Sequence, residues 1–259
     1  MTVTGRWIGA VRGALGFLTR LPIGYRDGDW DAFRATPAAF PIAGLVAGAL
    51  AAIPLLAAGT LAAPTVALGY LLSVYAVTGI HHLDGIADLG DALVVHGDAE
   101  RRREVLKDTT TGVGALLAVA ITVAALALAG LGLAGLSIRA AIGVAIGAEF
   151  GTKLGMAAMA CFGRAAADGM GKRFTDAATP GSFLLPAAVA LAAATGIGAA
   201  LGRPLPVAIA LTGAVAGIAL PWYWADRHLG GINGDIFGAA NEIGRVAGVH
   251  LGVIAWTLS

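Results

Sequence analysis

The chain has 259 residues, of which 58% are hydrophobic and only 13% charged, with a net charge of +1 at pH 7. Soluble domains carry roughly a quarter charged residues, so this composition excludes an ordinary soluble protein and describes an integral membrane protein. The near-zero net charge offers no basis for nucleic-acid binding, and a single cysteine, Cys161, excludes an internal disulfide framework.

The first residues, with Arg6 and Arg12 scattered among apolar neighbours, do not form a charged-then-apolar leader with a small-residue cleavage site. Residues 6–21 are expected to form a helix that either spans the membrane or lies in its interface. Seven apolar runs follow, each long enough to cross about 30 Å of hydrocarbon: 38–58, 61–80, 112–135, 138–162, 182–202, 204–224 and 236–258. Small-residue pairs such as Gly44 with Gly48 and Gly143 with Gly147 suit helices that approach closely. The prediction is an all-α, polytopic transmembrane bundle of about seven spans, forming one domain over residues 1–259.

Four breaks hold nearly all the charge: 20–36, 81–111, 163–181 and 225–235. Alternate threading puts them on one side, with Arg20, Arg26, Arg34, Arg101, Arg102, Arg103, Lys107, Arg164, Lys172, Arg173 and Arg227. Only Arg139 and Arg203 face them from the other side. By the positive-inside rule the charged side is cytoplasmic, in a cell membrane. The loop acids share that side, although acids do little to set orientation, which points to chemistry there on a water-soluble, anionic substrate.

Within 81–111, Asp84, Asp88 and Asp91 recur at helical spacing and, with His81, occupy about a quarter of the helix circumference. Like charges so placed repel unless a cation sits between them. Mg²⁺ suits the stripe, because it takes a few carboxylates together with waters and phosphate oxygens. Gly85 and Gly90 are expected to leave room for a ligand beside it. The competing reading is a solvated helix end. Residues 96–107 read as a salt-bridged surface helix. Lys107-Asp108-Thr109-Thr110-Thr111-Gly112 then precedes a long helix, and its free N–H groups at Thr111 and Gly112, with Lys107, suit a phosphate. Ordinary capping by Asp108 or a threonine is the alternative.

Glu149 and Lys153 lie four apart inside a span, where charge is expensive, so they are expected to pair. Lys153 either neutralises a substrate phosphate or a site carboxylate, or is purely structural. Near the end, Gly234-Asp235 precedes an apolar run and reads as an N-cap and a fourth metal carboxylate. Glu242 shares its helix face, with Gly238 and Ala239 small enough to admit a ligand between them.

Several ordered segments together resemble the cobalamin synthase family, the adenosylcobinamide-GDP ribazoletransferases: Phe17-Leu18-Thr19-Arg20-Leu21-Pro22, Phe40-Pro41-Ile42-Ala43-Gly44, His82-Leu83-Asp84-Gly85-Ile86-Ala87-Asp88, Lys107-Asp108, and Gly230-Gly231-Ile232-Asn233-Gly234-Asp235. The resemblance covers nearly the whole chain. It implies a Mg²⁺-dependent transfer in which a hydroxyl of α-ribazole, or of its 5′-phosphate, attacks the activated phosphoryl group of adenosylcobinamide-GDP and releases GMP. It also implies that His82, where the helical stripe favours His81, is the functional histidine. Two positions depart from the family pattern. Thr109-Thr110-Thr111 stands where Ser-Arg-Ile is common, removing an arginine, and Asn233 replaces a common threonine. On this reading Asp84, Asp88, Asp91 and Asp235 hold Mg²⁺, Asp235, His82 and Lys153 serve catalysis, and Lys107, Thr111 and Gly112 bind the diphosphate. Membrane lipid surrounds the chain, and oligomeric state stays open. A CDP-alcohol phosphotransferase is the rival in reaction class, weakened because Asp88 stands where those enzymes carry arginine. A cation-coupled secondary transporter is the rival in kind, weakened because nearly all the acids lie at cytoplasmic ends.

Overall fold

A computed structural model describes residues 3–24, 26–108 and 110–259. Each of the seven apolar runs is a helix. The first comprises α3 (Ala39–Ala51), continued by a 3₁₀ turn over Ile53–Ala57. The others are α4 (Ala63–Thr78), α7 (Val113–Ala134), α8 (Ile138–Phe162), α10 (Leu184–Leu201), α11 (Pro204–His228) and α12 (Gly234–Leu258). Four short helices decorate the charged breaks: α2 (Asp29–Arg34), α5 (His81–Val94), α6 (Ala99–Val105) and α9 (Met170–Thr175). An N-terminal helix, α1 (Val3–Leu18), precedes them; its 16 residues extend only about 24 Å, short of a span. No β-strand occurs among the described residues, which fits the requirement that backbone groups in hydrocarbon be satisfied within each segment.

By length and apolarity alone four segments can cross a membrane: Ala39–Ala57, Val113–Ala134, Pro180–Leu201 and Pro204–His228. The bent pair α4 and α5 would make a fifth. The expected count of about seven is therefore higher than composition supports. The difference includes α8 and α12, 25 residues each, which carry Glu149 with Lys153 and Glu242 with Arg245. These two are the central helices. All four ionisable side chains are buried by neighbouring protein, not lipid.

Glycines set the close approaches. A Cβ on Gly44 would lie 2.8 Å from the Glu149 carbonyl oxygen, and one on Gly151 would strike the Leu211 backbone, so α3 and α11 press directly onto α8. Gly244 and Gly248 play the same part between α12 and α11. Small residues let backbones meet where lipid supplies no hydrophobic drive.

The four charged breaks gather at one end of the bundle, as alternate threading requires. Arg103 donates to the Leu229 carbonyl at 2.8 Å, Arg164 to Gly230 at 3.0 Å and Arg34 to Arg173 at 3.3 Å. The Ile232 and Ala166 backbones pair across the 163–181 and 229–233 breaks. Six aromatic rings, Phe17, Trp30, Phe33, Phe40, Phe174 and Phe237, interlock there and tie α1, α2, α3, α9 and α12 together.

Candidate active site

The site is built where α4 breaks. Gly79 adopts φ +73°, a left-handed conformation that glycine takes without penalty, and the chain turns by 96° into α5. Instead of continuing the span, α5 runs across the starts of two long helices. At Gly85 a Cβ would meet the Asp235 carbonyl oxygen at 2.3 Å, and at Gly90 the Gly114 carbonyl oxygen at 2.6 Å. This corrects one expectation: the space beside Gly85 and Gly90 is filled by α12 and α7, not left for a ligand. Gly238 likewise abuts the His82 backbone.

This crossing brings Asp84, Asp88 and Asp91 of α5 toward Asp235 in the first turn of α12. Asp84 is exposed, and the other three are half-buried. Burial, then the negative charges of Asp235, Asp84 and Asp91, pushes the Asp88 carboxyl up to about 7. Among the described residues no three histidine, cysteine or acidic side chains converge as a ready-made metal cage. The arrangement is an open, negatively charged rim shared by two helices.

Two members of the expected set have other partners. Asp91 accepts from the Gly112 N–H at 2.7 Å and the Ala115 N–H at 2.9 Å, so it caps α7 across space. The helix start at Thr111-Gly112, expected to offer its N–H groups to phosphate, thus already spends the Gly112 donor on a carboxylate. Asp108 forms a local turn with Thr110, and Thr109 lies outside the described residues. The side chains of Lys107 and Thr111 are exposed. At α12 the cap is Asn233, whose side-chain oxygen accepts from Ile236 and whose amide donates to Asp235 at 2.8 Å. Asp235 is therefore free of the capping role expected of it, and is held in orientation by its neighbour.

Behind the rim lies a buried ionic network. Lys153 donates to Glu149 at 3.4 Å and to the Asn241 side chain. Arg245 bonds both Glu149 and Glu242, while Asn241 and Tyr75 add donors to Glu242 at 3.0 Å and 3.4 Å. Two cations meet two carboxylates, all essentially inaccessible. The expected Glu149–Lys153 pair exists, yet the Lys153 ammonium is engaged in this network and not at the aspartate rim. Glu242 belongs here too, two turns below Asp235. Spacing alone does not single out Arg245 or Asn241, although Arg245, three residues after Glu242 in an apolar run, carries the same signal as Glu149 and Lys153.

His82 joins the two regions. It is buried, its Nδ1 has no hydrogen-bond partner, and that atom lies 3.9 Å from the Glu242 carboxylate. Burial, then the charges of Lys153, Arg245 and His81, holds its pKa well below the ordinary histidine range, so the ring is neutral. His81 is exposed.

The sequence profile of the family described as cobalamin-5-phosphate synthase matches residues 10–253. Relatives named adenosylcobinamide-GDP ribazoletransferase include one from Halorubrum lacusprofundi, 46% identical over 96% of this chain and 98% of its own, and one from Haloquadratum walsbyi, 44% identical over 97% and 99%. A third, from Halobacterium salinarum, is 52% identical over 75% of this chain and 96% of its own. The chain belongs to the cobalamin-5-phosphate synthase family.

As a member of this family the chain is a transferase, and the phospholipid-synthase and transporter readings give way. Two of the motifs that carried the resemblance meet at the rim: His82 to Asp88 lies within α5, and Gly230 to Asp235 is the entry to α12. No solved structure matches this chain.

Proposed function

We propose that this chain joins adenosylcobinamide-GDP to α-ribazole, or to its 5′-phosphate, with release of GMP, at the cytoplasmic face of the cell membrane. The observation that carries the site assignment is the uncompensated negative charge shared by Asp84, Asp88 and Asp235. Mg²⁺ fits such a rim better than a closed cage would, since it keeps waters and binds through one or two carboxylates plus substrate phosphates. One or two carboxylates drawn from Asp84, Asp88 and Asp235 would hold it, with waters and substrate phosphate completing its shell, and Asp91, committed to α7, contributes only its charge. When bound, the ion would offset the charge that develops on the transferring and leaving phosphate oxygens.

The remaining work falls to positioning. A new bond forms between the ribose hydroxyl oxygen and the corrinoid-bound phosphorus. The anhydride bond to GMP breaks, GMP keeps its electron pair, and the hydroxyl proton leaves. Asp235, oriented by Asn233, is set to align that hydroxyl and accept its proton. Lys107 and the Thr111 hydroxyl, both exposed at the edge of α7, are set to meet the guanosine diphosphate. Neutral His82, wedged between rim and ionic network, fixes the first turn of α5. The buried network, with its charges paired, serves to lock α8 to α12 under the site.

The test is turnover by the purified protein in lipid nanodiscs with adenosylcobinamide-GDP, α-ribazole or its 5′-phosphate, and Mg²⁺. A cobalamin product with stoichiometric GMP is expected. Absence of both products with either acceptor overturns the reading.

A further inference from the structure

Beside the aspartate rim a cavity of about 370 Å³ opens between α1, α5, α9 and α12. Its walls include Phe17, Phe174, Phe237 and Met170, with His81 and His82 on one side. Gly234 and Gly238, which flank Asp235, complete the wall toward the rim. The rings of Phe17 and Phe174 stand 5.8 Å apart edge to face, and those of Phe174 and Phe237 5.6 Å apart.

We propose that this cavity is the acceptor-base site, taking the flat, largely apolar benzimidazole ring of α-ribazole or of its 5′-phosphate, so that the attached ribose reaches Asp235. The inference rests on the ribazoletransferase reading of the site. Size and chemistry select the base over the other parts of the two substrates. The volume lies near the lower end of ligand pockets, about 300–1,000 Å³, which admits a bicyclic ring but not a corrin macrocycle. Guanine presents several donors and acceptors that need matched polar partners, whereas phenylalanines and methionines supply ring and sulfur contacts. A benzimidazole joined to ribose through one nitrogen has a single acceptor nitrogen left, and one imidazole N–H from the histidine side satisfies it. Position agrees with chemistry: a base seated against Gly234 and Gly238 lies beside the residue assigned to the attacking hydroxyl. Phe17 and Met170 are both partly exposed at the mouth, so changing them does not empty the buried aromatic cluster.

The experiment uses the full-length protein in nanodiscs and measures KM for each substrate separately. Phe17→Ala, which removes a wall, and Met170→Trp, which fills the cavity, are expected to raise KM for α-ribazole by about ten-fold or more. KM for adenosylcobinamide-GDP should stay within about two-fold. A photoreactive diazirine analogue of α-ribazole, applied to the unmodified protein, should label peptides spanning 170–174 or 234–238, in competition with free 5,6-dimethylbenzimidazole. An unchanged KM for α-ribazole in both variants, a selective rise in KM for the corrinoid substrate, or labelling confined to other peptides would overturn the assignment while leaving turnover intact. Failure of the unmodified protein to make cobalamin sinks instead the reading on which it rests. Photolabelling does not depend on the variants folding.

Discussion

Asp91 shares a helix face with Asp84 and Asp88, yet both of its oxygens accept backbone N–H groups from the start of α7. The three aspartates should therefore fail differently. Asp91→Ala strips a cap and is expected to cost about 0.5–2 kcal/mol, visible as a lower midpoint in thermal unfolding, with little change in the Mg²⁺ concentration that half-saturates turnover. Asp84→Asn, Asp88→Asn and Asp235→Asn should instead not lower the midpoint, Asp88→Asn raising it near neutral pH in metal-free protein, and each should lower kcat by about 10²-fold, with more Mg²⁺ required. If Asp91→Ala shifts the Mg²⁺ requirement as much as Asp88→Asn does, the division of roles is wrong. The same crowding sets a pH dependence. With a carboxyl near 7 in the fold and about 3.9 in an unfolded chain, Asp88 holds an extra proton in the folded state between those values. Proton binding by the folded state makes stability fall as pH rises through that window. Metal-free protein should thus lose stability between about pH 4 and pH 7, a slope that Asp88→Asn flattens and Mg²⁺ reduces at the upper end. Chemical denaturation at a series of pH values reads this directly.

At the level of elements, α5 is held by two glycine contacts, one on α12 and one on α7. Gly85→Ala places a methyl group 2.3 Å from the Asp235 carbonyl oxygen, which is backbone and cannot swing aside. Overpacking of this kind costs about 1–3 kcal/mol, and here the strain lands on the two segments that carry Asp84, Asp88 and Asp235. We expect Gly85→Ala to lower kcat far more than it lowers the unfolding midpoint, whereas Gly196→Ala on α10, which meets nothing within 4 Å, should leave kcat unchanged and not lower the midpoint. Equal kcat in the two variants would show that α5 tolerates displacement. The glycines of this helix are visible in the sequence, but whether a gap admits a ligand or a neighbouring helix depends on what lies opposite. No pattern along α5 contains that information.

Over the whole molecule, the buried pairing of Glu149 and Glu242 with Lys153 and Arg245 binds α8 to α12. Removing one partner leaves an uncompensated charge, so Arg245→Met is expected to destabilise by about 3–5 kcal/mol. Removing a balanced set should cost less than the sum of the separate changes: Glu149→Gln with Lys153→Met is the pair to compare with each alone. A double-mutant cycle on unfolding free energy measures the coupling, and strict additivity would mean that these charges are not partners. Apolarity and helix-length runs were sufficient to locate all seven long helices, their membrane class and the gathering of acids and arginines at one end, because those properties repeat along a single helix or follow from alternate threading. Ordered short motifs sufficed for the family. Contacts across helices were another matter: Asp91 turned to α7, Lys153 to Asn241 and Glu149 to Arg245, and α5 bent across two helix starts to place its aspartates beside Asp235. Each depends on which backbone lies within a few ångströms on another helix, a distance that periodicity along the chain does not encode and that only packing settles.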